Sequence, residues 1–75
     1  MIAYVLVGLL ECDEQKVLEE LLSNKEIMEA HILFGEWDLL AKIKVESPED
    51  AGTFVMDHIR SLPEVQITST HIVAK

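Results

Sequence analysis

The stretch His31-Ile32-Leu33-Phe34-Gly35-Glu36-Trp37-Asp38-Leu39-Leu40-Ala41-Lys42-Ile43-Lys44-Val45 constrains this chain more than any other. Two apolar runs meet at a short break, Gly35-Glu36-Trp37-Asp38. Runs rich in Ile, Leu, Val and Phe, divided by a glycine and an aspartate, read as strand, tight turn, strand. After the break, Leu39, Ala41, Ile43 and Val45 alternate with Leu40, Lys42 and Lys44. That is the cleanest period of two in the chain, so one face of this strand must be core.

Size then decides what the hairpin needs around it. A chain of 75 residues is a single domain. It buries only about 60% of the surface its unfolded form exposes. Domains this small usually add disulfides, metal or further copies of themselves. The single cysteine, Cys12, excludes an internal disulfide. No Cys/His pair has zinc spacing. Association with other copies is the stabiliser that remains, and a hydrophobic content of 49% is in keeping with an extra buried surface. Fourteen acidic against six basic residues give a net charge of -8. Nucleic-acid binding depends on neutralising phosphates with Lys and Arg, so direct DNA or RNA binding is not expected. Met1 runs directly into Ile2-Ala3-Tyr4-Val5-Leu6-Val7, without a basic region or cleavage site, and does not read as a signal peptide. The apolar run ends near Leu10, too short to cross a bilayer. The expectation is a soluble cytoplasmic protein.

Ile2 to Leu10 is apolar at nearly every position and reads as a strand buried on both faces. Asp13 is a fair N-cap for a helix whose apolar stripe is Val17, Leu18, Leu21 and Leu22, closing at Ser23-Asn24-Lys25. A second strand is expected over Glu26 to Phe34, with Met28, Ala30, Ile32 and Phe34 on one side and Glu29, His31 and Leu33 on the other. Ser47-Pro48-Glu49-Asp50 is the strongest helix start, with a capping serine, proline at the first turn and an S-x-x-D box. Ala51, Phe54, Val55, His58, Ile59 and Leu62 follow at helical spacing until Pro63 stops the helix. The last strand is expected from Glu64 to Ala74. Val65, Ile67 and Val73 should lie on one face, Thr68, Thr70 and Ile72 on the other.

The order is therefore β-α-β-β-α-β. Two right-handed crossovers joined by a hairpin give an α+β, ferredoxin-like fold: a four-stranded antiparallel sheet with both helices on one face. The other face would carry Tyr4, Leu6, Leu10 or their odd neighbours, plus Leu40, and is too apolar to stay wet. Face-to-face pairing into a dimeric α/β sandwich follows.

Sites for chemistry are few. His31, His58 and His71 lack H-x-H or H-x-x-x-H spacing, and no metal site is expected. Cys12 has no histidine placed to activate it and reads as a boundary or packing cysteine. No phosphate loop or nucleophile elbow is present, so no catalytic residue and no cofactor is assigned. Two polar features remain: Asp38 before a strongly apolar strand, and Thr68-Ser69-Thr70 in the last strand. Each has an ordinary structural reading, as a turn residue and as good strand formers. Together they offer an acceptor, hydroxyls and backbone amides suited to a small zwitterion such as an amino acid.

Three ordered pieces carry a resemblance. Gly35-Glu36-Trp37-Asp38-Leu39, then Leu62-Pro63-Glu64-Val65, then Thr68-Ser69-Thr70 resemble the C-terminal effector domain of the leucine-responsive regulator/AsnC (Lrp/AsnC) family, the RAM domain. Its pattern has a G-x-Y/W-D-L turn, a helix ending in L-P-x-V, and a T-x-T in the last strand. The resemblance spans Ile2 to Val73. It implies one RAM domain over residues 1–75 without a helix-turn-helix domain, in dimers that assemble further, often into octamers. It also implies amino-acid effectors in clefts between dimers. Gly35, Glu36, Trp37 and Asp38 would then form the effector loop, with Trp37 where tyrosine is commoner, and Thr68 and Thr70 would line the same cleft. The function implied is a regulatory, non-enzymatic module that binds an amino acid and modulates full-length paralogues in transcription regulation. A purely structural oligomerisation protein and a small ferredoxin-like enzyme are the alternatives.

Overall fold

In the computed structural model, which describes residues 1–75, the elements run β1 (Ile2–Leu9), α1 (Glu14–Leu22), β2 (Ile27–Ile32), β3 (Leu39–Lys44), α2 (Pro48–Phe54) and β4 (Val65–Ile72). The strands form one antiparallel sheet in the order β2-β3-β1-β4. This is the ferredoxin-like α+β arrangement the element order predicts.

The helix starts follow from their caps. Asp13 Oδ1 accepts hydrogen bonds from the Gln15 and Lys16 amides at 3.1 and 3.4 Å. Ser47 Oγ accepts from the Asp50 amide at 3.1 Å, and Pro48 occupies the first turn, where its missing N–H leaves nothing unpaired. α1 buries a narrower stripe than expected: Val17 and Leu21 are enclosed, whereas Leu22 is 47% exposed.

α2 departs further from its expected course. After Phe54 the backbone widens into a π-helical turn, Val55–Ile59, with the Arg60 amide bonding to the Val55 carbonyl at 2.7 Å. The wider turn keeps Val55 and Ile59 in the core but leaves His58 exposed, stacked on Phe54 with ring centroids 4.8 Å apart. His58 is therefore not part of the apolar stripe.

Period-two alternation holds best in the inner strands. Ala3, Val5 and Val7 of β1 and Leu39, Ala41 and Ile43 of β3 are fully buried under the helices. The outer strands each slip by one residue. Between Ile27 and Glu29 the pairing to β3 advances by one residue while β2 advances by two, so Met28 is an extra residue. Ile27 thus takes the core position, and Met28 is 51% exposed. β2 also stops at Ile32, and Phe34 is 96% exposed rather than on the core side. In β4 the pairs Gly8↔Ile67 and Leu9↔Val65 leave Gln66 as the extra residue. Val65 accordingly packs against the core while Ile67 is 55% exposed, so the two do not share a face.

The helix-free face of the sheet carries Ile2, Tyr4 and Leu6 from β1 and Leu40 and Lys42 from β3, all half-buried. At its β2 rim, Glu29 lies 3.2 Å from His31 and 3.7 Å from Lys42. At its β4 rim, Ser69 Oγ and His71 Nε2 are 2.8 Å apart. An apolar centre with a polar rim has the anatomy of an interface. Leu10, expected on this face, lies beyond the end of β1 and is exposed.

Ile43 is fully enclosed on the helix-covered side of β3. Ile43→Ala should lower unfolding free energy by about 2–5 kcal/mol, read from the midpoint shift in urea at fixed protein concentration.

Candidate functional site

The site grows from the way β3 begins. The Asp38 amide donates to the Val7 carbonyl at 2.9 Å, and the Asp38 carbonyl accepts from the Leu33 amide at 2.8 Å. One residue earlier than β3 proper, the main chain is thus already tied to both neighbouring strands. The Asp38 side chain then replaces the next rung: its Oδ2 accepts from the Leu9 amide at 2.7 Å. With the rung taken by a carboxylate, the backbone before Asp38 is free to leave the sheet. Glu36 and Trp37 do so, and Trp37 comes over β1.

A glycine permits that approach. A Cβ built on Gly8 would sit 2.7 Å from Ile67 Cγ2 and 3.9 Å from the Trp37 ring. Any larger residue would have to displace Ile67. An isolated glycine inside an apolar strand marks close approach or a bulge, and here it marks both. The result is an open cleft of about 420 Å³ lined by Gly8, Leu9, Glu36, Trp37, Asp38, Gln66 and Ile67.

The expected site residues divide. Glu36, Trp37 and Asp38 line this cleft. Gly35 is exposed at the hairpin tip, outside the lining. Thr68 and Thr70 pair with Val7 and Val5, whose side chains are buried on the helix side. Directly paired residues share a face, so both threonines point to the helix side of β4 and do not meet Trp37 within one chain. Four lining residues were not anticipated: Gly8, Leu9, Gln66 and Ile67. Gly8 was the available signal; the other three depend on strand pairing.

Cys12 and Glu64 lie at this end of the sheet. Desolvation pushes the Cys12 thiol above its ordinary range, and the carboxylates of Glu64, Glu14, Asp13 and Asp38 push it further. Glu64 Oε1 is buried with no hydrogen-bond partner. A second cleft, of about 380 Å³, opens at the opposite end of β3, where Glu26, Glu46, Asp50, Asp57 and His58 gather beside Phe54. No group of three or more His, Cys, Asp or Glu side chains is placed to hold a metal ion. No helix is long and apolar enough to cross a membrane.

Fold and cleft together define a ferredoxin-like domain with one sheet face uncovered and a small-molecule-sized recess at the end of its inner strands. The chain belongs to the Lrp/AsnC ligand-binding domain family, whose model matches residues 2–75. It is 33% identical to the HTH-type transcriptional regulator FL11 of Pyrococcus abyssi over 75 residues, all of this chain and 49% of that protein. The chain spans about half the length of such curated relatives or less. It is 36% identical to the hypothetical protein PHS023 from Pyrococcus horikoshii, with a TM-score of 0.88 over 100% of this chain and 92% of that one. At 21% identity, the transcriptional regulator NMB0573 of Neisseria meningitidis, solved in complex with L-Met, shares the fold with a TM-score of 0.87. That match covers 99% of this chain and 49% of the other.

Replacing Asp38 tests its structural part. Asp38→Ala leaves the Leu9 amide without its charged acceptor and should destabilise the fold by about 1.5–3 kcal/mol. Asp38→Asn keeps an acceptor and should lose less; thermal unfolding of both variants measures the difference. For Cys12, a raised pKa means less thiolate at neutral pH. Iodoacetamide should modify it more slowly than free cysteine at pH 7.5, with a rate still rising beyond pH 9. Glu64→Gln, which removes the largest charge contribution, should speed that reaction at fixed pH, as followed by intact mass.

Proposed function

We propose that this domain binds a small amino-acid effector in the cleft beside Trp37, pairs through its uncovered sheet face, and passes the bound state to regulators of transcription. It acts by binding rather than catalysis. The observation that carries the reading is the cleft itself. The family's turn, here Gly35-Glu36-Trp37-Asp38, is held by Asp38 so that its aromatic residue walls a recess of about 420 Å³. Its size suits an amino acid, and its lining combines an apolar wall with acceptors for an ammonium group.

Assembly completes the proposal. Two copies of the uncovered face bring Tyr4, Leu6 and Leu40 together and remove them from water. Dimers then associate further, to an octamer on the family pattern, so that a neighbouring copy closes the open side of the cleft. Thr68, Thr70 and Gly35, which do not line the cleft within one chain, are candidates to meet an effector across such a contact. Co-assembly with full-length paralogues in the cytoplasm would give the acidic domain a route to DNA that its own charge does not provide. The L-Met bound to the Neisseria meningitidis regulator makes methionine a sensible first ligand to try.

Trp37 is the only tryptophan in the chain, so intrinsic fluorescence reports on this cleft directly. Titration with the twenty standard L-amino acids should change that fluorescence saturably for one or a few of them. The same compounds should raise the melting temperature by the free energy RT ln(1 + [L]/Kd). No response to any of them would remove the effector reading. Light scattering should give a mass above that of a monomer at micromolar concentration. Leu6→Lys, which places a charge at the centre of the uncovered face, should shift the mass toward the monomer.

A further inference from the structure

We infer that Gln66 determines specificity in this cleft, its carboxamide donating a hydrogen bond to the carboxylate of a bound amino acid. The inference rests on the cleft being an amino-acid site and adds the group that distinguishes an amino acid from a plain amine.

The argument begins with what the cleft lacks. Its lining includes two carboxylates, Glu36 and Asp38, and no lysine, arginine or histidine. Such a lining attracts an ammonium group and repels a carboxylate. An amino acid carries both. Its carboxylate needs N–H donors, and only two side chains of the lining supply them: the Trp37 indole and the Gln66 carboxamide. The indole is part of a ring packed over Gly8, and it has one donor in a fixed direction. The carboxamide is at the end of an exposed, flexible side chain with two donors.

The backbone delivers Gln66 to this place by a specific device. Neighbours along a regular strand point to opposite faces. Gln66 and Ile67 both line the cleft at the point where the β4 pairing slips, between Gly8↔Ile67 and Leu9↔Val65. A bulge of this type re-aims a side chain, and bulges are over-represented beside binding sites. Here it sets Gln66 at the cleft and lets Val65, the residue before it, pack against the core.

The test compares each amino acid that changes Trp37 fluorescence with its own decarboxylated amine. The wild-type domain should bind the amino acid roughly ten-fold or more tightly than the amine, the scale of a hydrogen bond to a charged group. Gln66→Glu keeps the shape, removes the donor and adds a third carboxylate, and should abolish or invert the preference. Gln66→Leu should bring the two affinities close to equal while binding to the amine persists. Gln66 is exposed, so both variants should keep wild-type circular dichroism and wild-type mass in light scattering. An unchanged preference in both variants would overturn the role of Gln66 and leave the amino-acid site standing. If the wild type binds none of the amino acids, or binds the amine as tightly as the amino acid, the inference fails; only the first result also removes the site.

Discussion

Three hydrogen bonds at Asp38 hold the cleft end of this molecule. Its carbonyl and amide join β2 and β1 through Leu33 and Val7, and its carboxylate caps β1 at the Leu9 amide. A charge-assisted bond of this kind is about twice as strong as a neutral one. Its position matters more than its strength. It ends the β1–β3 ladder with a side chain instead of a backbone rung, which releases Trp37 to fold over Gly8. The aspartate of the turn is therefore first a structural residue, and the cleft is a consequence of how it ends the ladder. Only what remains of its carboxylate after the Leu9 bond is available to a ligand.

The rest of the architecture answers a problem of scale. Two short helices can cover one face of four strands and no more. The enclosed side takes Val5, Val7, Leu39 and Ile43 to complete burial. The uncovered side leaves Tyr4, Leu6 and Leu40 half-buried within a ring of polar groups. The cleft opens at the end of this same β1–β4 region, where Gly8 and Ile67 meet. In the proposed assembly, covering the sheet face and closing the cleft would for this reason be neighbouring events, and a change in one should be felt in the other.

What could be read from residues alone was whatever local chemistry determines. The Ser47-Pro48 start, the Asp13 cap and the alternation of β3 depend on side chains within a turn or a strand, and each appears as expected. The order of elements then restricts the topology to the observed sheet. The misses share a different cause. Met28 and Gln66 are single-residue slips set by how an outer strand pairs with an inner one, and no pattern within the strand announces them. The same holds for the π-helical turn, whose i→i+5 bond leaves the apolar spacing of Phe54, Val55 and Ile59 intact while moving His58 out. At the cleft, the turn Glu36-Trp37-Asp38 was legible because it is contiguous. Gln66 and Ile67 were not, since the pairing brings them there. Thr68 and Thr70 share a face as the alternation required, but which face is decided by the opposing Val7 and Val5.

Both irregular pairings fall on the outermost strands, Met28 on β2 and Gln66 on β4. An outer strand presents unpaired N–H and C=O groups along its rim, a template on which another chain can add side by side. Each slip twists that rim and breaks its regular spacing. A chain with one sheet face uncovered, the face proposed here to pair, has a particular need for this. The same copies, at the same concentration, could otherwise join rim to rim into sheets without end. The two extra residues disfavour that rim-to-rim mode, so the bulge beside Gln66 also guards the molecule against open-ended growth.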